Sequence, residues 1–470
     1  MVSLENIQKW NESFKSDKSN ILARNAIVSV GSEFASIDSI EVRNINHLFL
    51  NTLKLHNLKA TNQGRSGRCW LFAGMNTFRH LLMKALTIRN FELSETYLFF
   101  WDKLERSNYF LQWFIDNDFD IKSRETQYIL DVYRGDGGFW SMFAQLVDKY
   151  GLVPKDSMPE TFQSGDSDDM NKELSDRLNS CANYIIQNKN ALSHDDLVRV
   201  KDEEMEKIYH MLIKYLGNPP TTFQWKFERE VFNENDGTNY SSDVITSTPM
   251  AFKEMVLPSN SLNIYEFAVL ANVPNEKMNT LYRVKWTSNC VGGNDVTFLN
   301  LPIQEIKNSV QTSIMKGLPV WFGGDVEKGF SFFHSALNDK LYNTDLLFGE
   351  KMELDKGDGI DIRNIRASHA MVLTGFNVDE NDNVTEWQVE NSWGYWDNET
   401  PGFDGFLSMT DSWFDKYVYM VVIHRKFLPR LKQKYLDKEP IVLNPWDSTS
   451  PALRTTPMLP PHNLWNHCKK

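Results

Sequence analysis

A repeat of apolar residues with helical spacing follows a glycine-containing loop. This repeat is the sequence feature that most strongly limits the fold, because it requires a helix directly after the loop. The loop and the start of the repeat read TNQGRSGRCWLFAG at residues 61–74. A period of 3.6 residues puts the following side chains on one face of a helix within residues 66–86: Leu71, Met75, Phe78, Leu82 and Leu86. Ser66 or Gly67 is a suitable helix start. Cys69 is therefore predicted in the first helical turn.

The rest of the chain mixes helical and strand patterns, which predicts an α+β fold. Residues 135–154 combine a glycine turn with a helical pattern, and further helical patterns occupy residues 93–111 and 170–216. Strand patterns with a period of two residues occupy 222–230 and 387–394, and residues 368–378 form a short apolar run typical of a strand. The change of character after residue 154 indicates that residues 155–300 form an inserted or second module.

Composition and charge exclude several classes of protein. The chain has 470 residues and a net charge of −12, and an acidic surface does not favour nucleic acid or an anionic membrane as a partner. We find no signal peptide in the first 25 residues and no run of roughly 20 apolar residues that would cross a bilayer. No zinc spacing, phosphate-binding loop or dinucleotide motif is present, so we expect no metal or cofactor. The widely separated cysteines favour free thiols in a reducing cytoplasm: Cys69, Cys181, Cys290 and Cys468.

Cys69 has the position of a nucleophile. Amide dipoles at a helix N-terminus, together with a nearby imidazolium, lower the pKa of a thiol. Attack on a carbonyl creates an oxyanion, which the side-chain amide of Gln63 and the backbone N–H of Cys69 would stabilise. Viewed singly, Cys69 also fits a small buried hydrophobic residue, and Gln63 fits a solvated loop residue.

A base and a group that orients it are the other requirements of such a site. His369 stands at the start of an apolar strand, and Asn391 stands at the start of the turn after the next strand, two residues before Trp393. An amide that bonds one imidazole nitrogen fixes the tautomer, and an indole can screen that bond from water. A hydrogen-bonded core histidine and a turn asparagine are the alternatives, but the four elements occur together and in order.

Three sequence blocks, QGRSGRCW, SHAMVLTG and VENSWG, resemble the catalytic blocks of papain-like cysteine peptidases. The resemblance implies that Cys69 is the nucleophile, His369 the general base and acid, and Asn391 the residue that orients His369. It also implies that Gln63 completes the oxyanion hole. The segment DGG at 136–138 resembles the glycine pair that binds an extended substrate through its backbone, which implicates Gly137 and Gly138.

The spacing of these blocks points to one branch of that group. Cys69 and His369 are 300 residues apart, and Asn391 lies 322 residues after Cys69, whereas secreted papains have about 130–150 residues in between. An insertion of this size, and blocks such as DGGFWSMFAQLVDKYGLVPK and EPIVLNPWD, resemble bleomycin hydrolase and bacterial aminopeptidase C. This resemblance implies a papain-like two-lobed core with a large, mostly helical insertion, assembled as a homohexamer that acts on peptides.

The sequence patterns and the family resemblance divide the chain into five predicted segments. They are an N-terminal segment packed on the core (1–60), a helical lobe with Cys69 (61–154), an inserted helical and hairpin module (155–300), a β lobe with His369 and Asn391 (301–445) and a C-terminal tail (446–470).

The tail departs from the family pattern. In the family, a terminal carboxylate in the substrate cleft pairs with the free α-amino group of the substrate and so favours aminopeptidase cleavage. Here PWDSTSPAL at 445–453 fills that place, and residues 454–470 continue beyond it. A cysteine aminopeptidase of broad specificity is the leading interpretation. The alternatives are an oligopeptide endopeptidase, a non-catalytic peptide-binding scaffold and, more weakly, a thiol acyltransferase.

Overall fold

The computed structural model describes residues 1–53, 58–233, 237–394 and 405–450. The chain begins with three helices, α1 (Leu4–Ser16), α2 (Lys18–Ser36) and α3 (Ser39–Asn44). Each is capped by a side-chain oxygen that accepts a backbone N–H of the first turn, from Ser3, Asp17 and Asp38 respectively. No residue of α1 is buried, so the fold of a single chain leaves its apolar side uncovered.

The helical lobe consists of α4 (Cys69–Leu86), α5 (Glu95–Asp116), α6 (Arg124–Val132) and α7 (Trp140–Tyr150). The predicted apolar face of α4 is buried at Leu71, Met75, Phe78 and Leu82 and partly buried at Leu86. Helix α4 begins at Cys69, however, rather than at Ser66 or Gly67. The reason is that the N–H of Gly67 donates to the Asp136 carboxylate at 3.1 Å, which holds residues 63–68 as a loop. Cys69 thereby becomes the first residue of the helix.

The charged helical pattern of 170–216 forms two helices instead of one. After a 3-10 turn (Lys155–Ser157) and the short α8 (Phe162–Gly165), the chain forms α9 (Asp168–Asn188) and α10 (His194–Leu216). Ser193 interrupts the pattern because its hydroxyl accepts the N–H of Asp196 at 3.1 Å and so caps α10. The predicted strand follows as β2 (Phe223–Asn233), which pairs with β3 (Gly237–Ser247) in an antiparallel ribbon before α11 (Pro249–Val256).

One mixed sheet forms the centre of the second lobe. Its strands within the described residues are β1 (Asn51–Thr52), β4 (Phe267–Ala271), β5 (Thr280–Val284), β6 (Thr297–Asn300), β7 (Val320–Gly324), β8 (Phe330–Ser331), β9 (Ala336–Leu337), β10 (His369–Val378), β11 (Val384–Glu390), β12 (Phe406–Thr410), β13 (Val418–His424) and β14 (Ile441–Leu443). Their spatial order is β14-β5-β6-β4-β13-β7-β10-β11-β12-β9-β8, and β1 also pairs with β10.

Short helices connect these strands: α12 (Ile303–Met315), α13 (Thr344–Phe348), α14 (Lys356–Asp361), α15 (Asp411–Tyr417), α16 (Arg430–Leu436) and 3-10 turns at Ile264–Glu266 and Arg425–Phe427. Every residue of β7 and β13 is buried, as is β10 except for its last residue, because helices cover the sheet. Helix α4 packs against β10 and β7. This packing brings the first residue of α4 to the first residue of β10.

None of the helices in the described ranges combines the length and the apolar character needed to cross a membrane.

Candidate active site

Cys69 occupies the N-terminal position of α4 and is buried. The following residue fixes the helix end in place, because the Trp70 indole donates to the carbonyl of Asp136 at 2.7 Å. The Trp70 carbonyl in turn accepts from the indole of Trp321, on β7, at 3.2 Å. The thiol is therefore held between the helical lobe and the sheet.

Burial raises the pKa of the Cys69 thiol to about 11, although backbone N–H groups of Ala370, Trp70 and Cys69 itself act to lower it. The backbone N–H groups at the start of α4 therefore act in the predicted direction, but desolvation of the thiolate outweighs them. A thiolate at Cys69 would therefore need a neighbouring base to accept its proton.

His369, the first residue of β10, is such a base. Its Nε2 lies 2.8 Å from Oδ1 of Asn391, and the same Oδ1 accepts the backbone N–H of Ser392 at 2.8 Å. Because an amide oxygen only accepts, Nε2 carries the hydrogen and Nδ1 carries the lone pair. Nδ1 is buried and has no hydrogen-bond partner among the described residues. Asn391 thus selects the tautomer in which Nδ1 can accept a proton.

An indole covers this pair. The ring centres of Trp393 and His369 lie 4.8 Å apart, with the rings at an angle of 35°. Phe330 also packs edge-on against Trp393, with ring centres 5.5 Å apart. Trp393 is itself buried, so the bond between His369 and Asn391 is screened from water as the sequence predicts.

Burial lowers the pKa of His369 to about 4, against the opposing effect of the Asn391 bond. The neutral imidazole is the form able to accept a thiol proton, so an activity that uses His369 as a base would be present above this pKa and lost as the pH falls through it. We expect the acidic limb of kcat/KM to have its midpoint near pH 4, below the ordinary histidine value of about 6.5. Rates measured on the folded protein, with circular dichroism at each pH, test this. A midpoint at or above the ordinary value would contradict it.

Gln63 joins the loop before Cys69 to the loop after β11. It is fully buried, its Nε2 donates to the carbonyl of Ser66 at 2.7 Å and its Oε1 accepts from the hydroxyl of Ser392 at 2.7 Å. The backbone N–H of Gln63 also donates to the carbonyl of Ser392 at 2.8 Å. An amide nitrogen carries two hydrogens, so one remains for a ligand after the bond to Ser66. Gln63 can therefore act as an oxyanion donor whose orientation is fixed.

Gly137 and Gly138 lie on the rim of the same site. With Cys69 and His369 they line a cavity of about 40 Å³, which also has apolar walls from Phe139, Trp321, Ala367 and Met420. The carbonyl of Gly137 accepts from the Arg106 guanidinium at 2.6 Å. A Cβ on Gly138 would lie 2.5 Å from the Trp70 ring, so only glycine fits there. Two larger grooves, of about 520 and 530 Å³, contain none of the predicted site residues.

The structure brings the predicted residues Cys69, His369, Asn391, Gln63, Gly137 and Gly138 into one place. Sequence reasoning missed the groups that hold them, among them Ser392, Asp136 and Arg68. Charged residues within a glycine loop were a possible signal for the last two, since a charge that is buried needs a partner. Burial acts to raise the pKa of Asp136, but the Lys103 ammonium at 2.7 Å, together with hydrogen bonds from Ser167 and Gly67, outweighs burial and holds this pKa well below its usual range.

The described residues contain no group of three or more His, Cys, Asp or Glu side chains arranged to hold a metal ion.

Comparison with known proteins gives consistent matches along almost the whole chain. A model of the Peptidase C1-like family matches residues 1–450. Aminopeptidase C of Listeria monocytogenes is 33% identical over 449 residues, covering 95% of this chain and 98% of the relative. Human bleomycin hydrolase is 35% identical over 454 residues, covering 94% and 95%. The crystal structure of PepW from Lactobacillus rhamnosis HN001 has a TM-score of 0.87 at 32% identity, covering 95% of this chain and 98% of that one.

Proposed function

Because the chain belongs to the Peptidase C1-like family, we propose that Cys69, His369, Asn391 and Gln63 are the catalytic residues of a cysteine aminopeptidase. Relatives that are named aminopeptidase C and bleomycin hydrolase match at 33% and 35% identity and support peptides as substrates and the N-terminal residue as the one released. The observation that carries the assignment of residues is the single cavity that Cys69 shares with His369, whose Nδ1 lone pair is buried and unused within the described structure.

The first half of the reaction forms an acyl-enzyme. The proton of the Cys69 thiol passes to Nδ1 of His369 while the sulfur bonds to the substrate carbonyl carbon. The carbonyl oxygen becomes an oxyanion that accepts from the Gln63 amide and the backbone N–H of Cys69. The carbon–nitrogen bond then breaks, and the leaving amine takes the proton from His369, which leaves a thioester on Cys69.

The second half restores the enzyme. Neutral His369 removes a proton from water, and the hydroxide adds to the thioester carbonyl in the same oxyanion site. The carbon–sulfur bond breaks, the acid product leaves and the proton on His369 returns to sulfur. Asn391 keeps the imidazole in the required tautomer throughout, since its Oδ1 accepts from Nε2 in both charge states.

The test compares a fluorogenic aminoacyl amide with its N-acetylated twin under reducing conditions, with Cys69→Ala as the blank. Cleavage of the free amine alone supports the aminopeptidase. Cleavage of both compounds would favour an oligopeptide endopeptidase. Cleavage of neither compound would favour a non-catalytic peptide-binding scaffold.

The described part of the tail lies close to the cavity, as recognition of a substrate N-terminus by the tail would require. Thr449 and Ser450 are buried, and the Thr449 carbonyl accepts a hydrogen bond from the hydroxyl of Tyr419. Tyr419 lies on β13 directly before Met420, which lines the cavity. The tail therefore runs beside the strand that borders the cavity. The predicted effect of the extension at 454–470 concerns residues outside the described ranges.

We further propose that the protein is cytoplasmic. Cys69, Cys181 and Cys290 are free cysteines in the described structure, and free thiols persist in a reducing compartment.

We also propose that the chain assembles as a homohexamer. Helix α1 exposes a row of apolar side chains with helical spacing, including Leu4 (84% exposed), Ile7 (48%) and Trp10 (57%). Val28 of α2 adds a further exposed apolar side chain (80%). A surface of this kind is typical of a contact between proteins.

Trp10→Asp should therefore reduce the assembly to smaller species, because it puts a charge into a buried apolar contact. Size-exclusion chromatography with light scattering measures the mass of the particle. Glu12→Ala, on the opposite face of α1, is the control and should leave the mass unchanged. An unchanged mass for Trp10→Asp would contradict the role of α1 in assembly.

A further inference from the structure

Arg68, the residue before the nucleophile, is fully buried. Its guanidinium lies 5.0 Å from the ring centre of Phe72 and 5.3 Å from that of Phe99. Glu160 neutralises it through two hydrogen bonds, at 2.8 and 3.2 Å. Burial acts to raise the pKa of Glu160, but Arg68 and Lys155 outweigh it and hold this pKa well below its usual range. The pair is therefore ionised and fixed in position.

The remaining donors of Arg68 hold the loop that precedes Cys69. Nε donates to the hydroxyl of Ser66 at 2.7 Å, and Nη2 donates to the carbonyl of Gln63 at 3.3 Å. The Ser66 hydroxyl donates to the same Gln63 carbonyl at 2.6 Å. The Ser66 carbonyl accepts from the Gln63 side chain at 2.7 Å. These bonds form a closed network around residues 63–68.

The groups at the two ends of this network are the two oxyanion donors. Gln63 supplies the side-chain amide, and Arg68 is bonded through its own peptide group to the N–H of Cys69. A displacement of the loop would change the distance between these donors, and an oxyanion site works only when its donors are already in place.

We propose that Arg68, anchored by Glu160, is a positioning residue that sets the geometry of the oxyanion hole. This inference rests on the proposed function. Lysine at this position would keep the positive charge but present it from one compact ammonium group. It cannot reproduce the planar guanidinium that reaches Glu160, Ser66 and Gln63 at once.

The test compares three measurements on Arg68→Lys: turnover, the affinity of a peptide aldehyde, and the rate of alkylation of Cys69 by iodoacetamide. The aldehyde adds to the thiol and places an oxygen in the oxyanion hole, whereas alkylation creates no oxyanion. We expect kcat and the aldehyde affinity to fall together, on the order of 10²-fold. We expect KM and the alkylation rate to stay near those of the wild type.

Ser66→Ala is a second variant, and it alters no buried charge. If Arg68→Lys does not fold, Ser66→Ala tests whether the network sets the geometry of the oxyanion hole. It should show a smaller loss in the same direction. Arg177→Lys, which changes an arginine paired with Glu204 in the inserted module, is the control and should change none of the three measurements.

A folded Arg68→Lys variant with the kcat and aldehyde affinity of the wild type would overturn the proposal. Equal losses of aldehyde affinity and alkylation rate would also overturn it, since they would mark a general disturbance of Cys69. Failure of the wild type to hydrolyse any peptide would instead reject the proposed function, and the comparison of aldehyde with iodoacetamide would still test the role of Arg68.

Discussion

Replacing Cys69 with alanine should lower kcat for peptide hydrolysis on the order of 10⁵- to 10⁶-fold, the loss seen when an enzyme nucleophile is removed. The reaction cannot form a thioester without the sulfur, and the other cysteines of the described structure lie in other surroundings. Cys181 is on α9 and Cys290 is in the loop before β6, and neither lines the cavity that contains His369. Measurement of initial rates with a fluorogenic aminoacyl amide tests the expected loss.

His369→Ala should cause a loss of similar size, and the double variant should be no worse than either single variant, because the two residues act in the same step. Cys181→Ala is the matched control, since it removes another buried free thiol, and its kcat should equal that of the wild type. Additive losses in the double variant, or substantial hydrolysis by Cys69→Ala, would place the nucleophile elsewhere.

The residues of the candidate site could be singled out because they occur together and in order, although each viewed singly also fits a structural role. The onset of a helical apolar period identified Cys69, and the boundaries of short apolar strands identified His369 and Asn391. The mixed α and β character and the buried face of α4 were predicted from the same patterns and are confirmed. The proposed segment limits stay a prediction. Strands β4, β5 and β6 lie within residues 155–300, and they share a sheet with the strands that follow residue 300.

The parts that could not be predicted depend on contacts between distant segments. The spatial order of the strands, the pairing of Arg68 with Glu160 and the raised pKa of the Cys69 thiol all arise from tertiary packing, which a local pattern does not contain. The break between α9 and α10 has a local signal, the capping residue Ser193. The sequence analysis did not predict it, because the surrounding pattern is strongly helical. One such contact between distant segments joins Arg79 to Glu390, which are 311 residues apart.

Glu390 immediately precedes Asn391, and its carboxylate is buried between two residues of α4. Arg79 forms a salt bridge with one carboxylate oxygen, and Nε2 of His80 lies 3.1 Å from the other. Burial acts to raise the pKa of Glu390, but Arg79 and His80 outweigh it and keep the pKa below its ordinary value. A carboxylate with a lowered pKa contributes stability above its unfolded-state pKa, and this contribution is lost as the pH falls through the folded-state pKa. The cluster ties the helix of Cys69 to the strand that leads to Asn391.

Glu390→Ala should therefore lower the free energy of unfolding by about 3–5 kcal/mol at neutral pH, because it leaves the Arg79 guanidinium buried without its partner. Urea unfolding followed by circular dichroism measures the change. Glu230→Ala is the control: it breaks the pair with Arg89, whose side chain is 52% exposed, and should cost less than about 1 kcal/mol. Glu390→Leu combined with Arg79→Met should be more stable than Glu390→Ala, since no buried charge is then left unpaired. A loss for Glu390→Ala no larger than that of the control would mean that packing of α4 on β10 and β7, rather than this ion pair, holds the two lobes together.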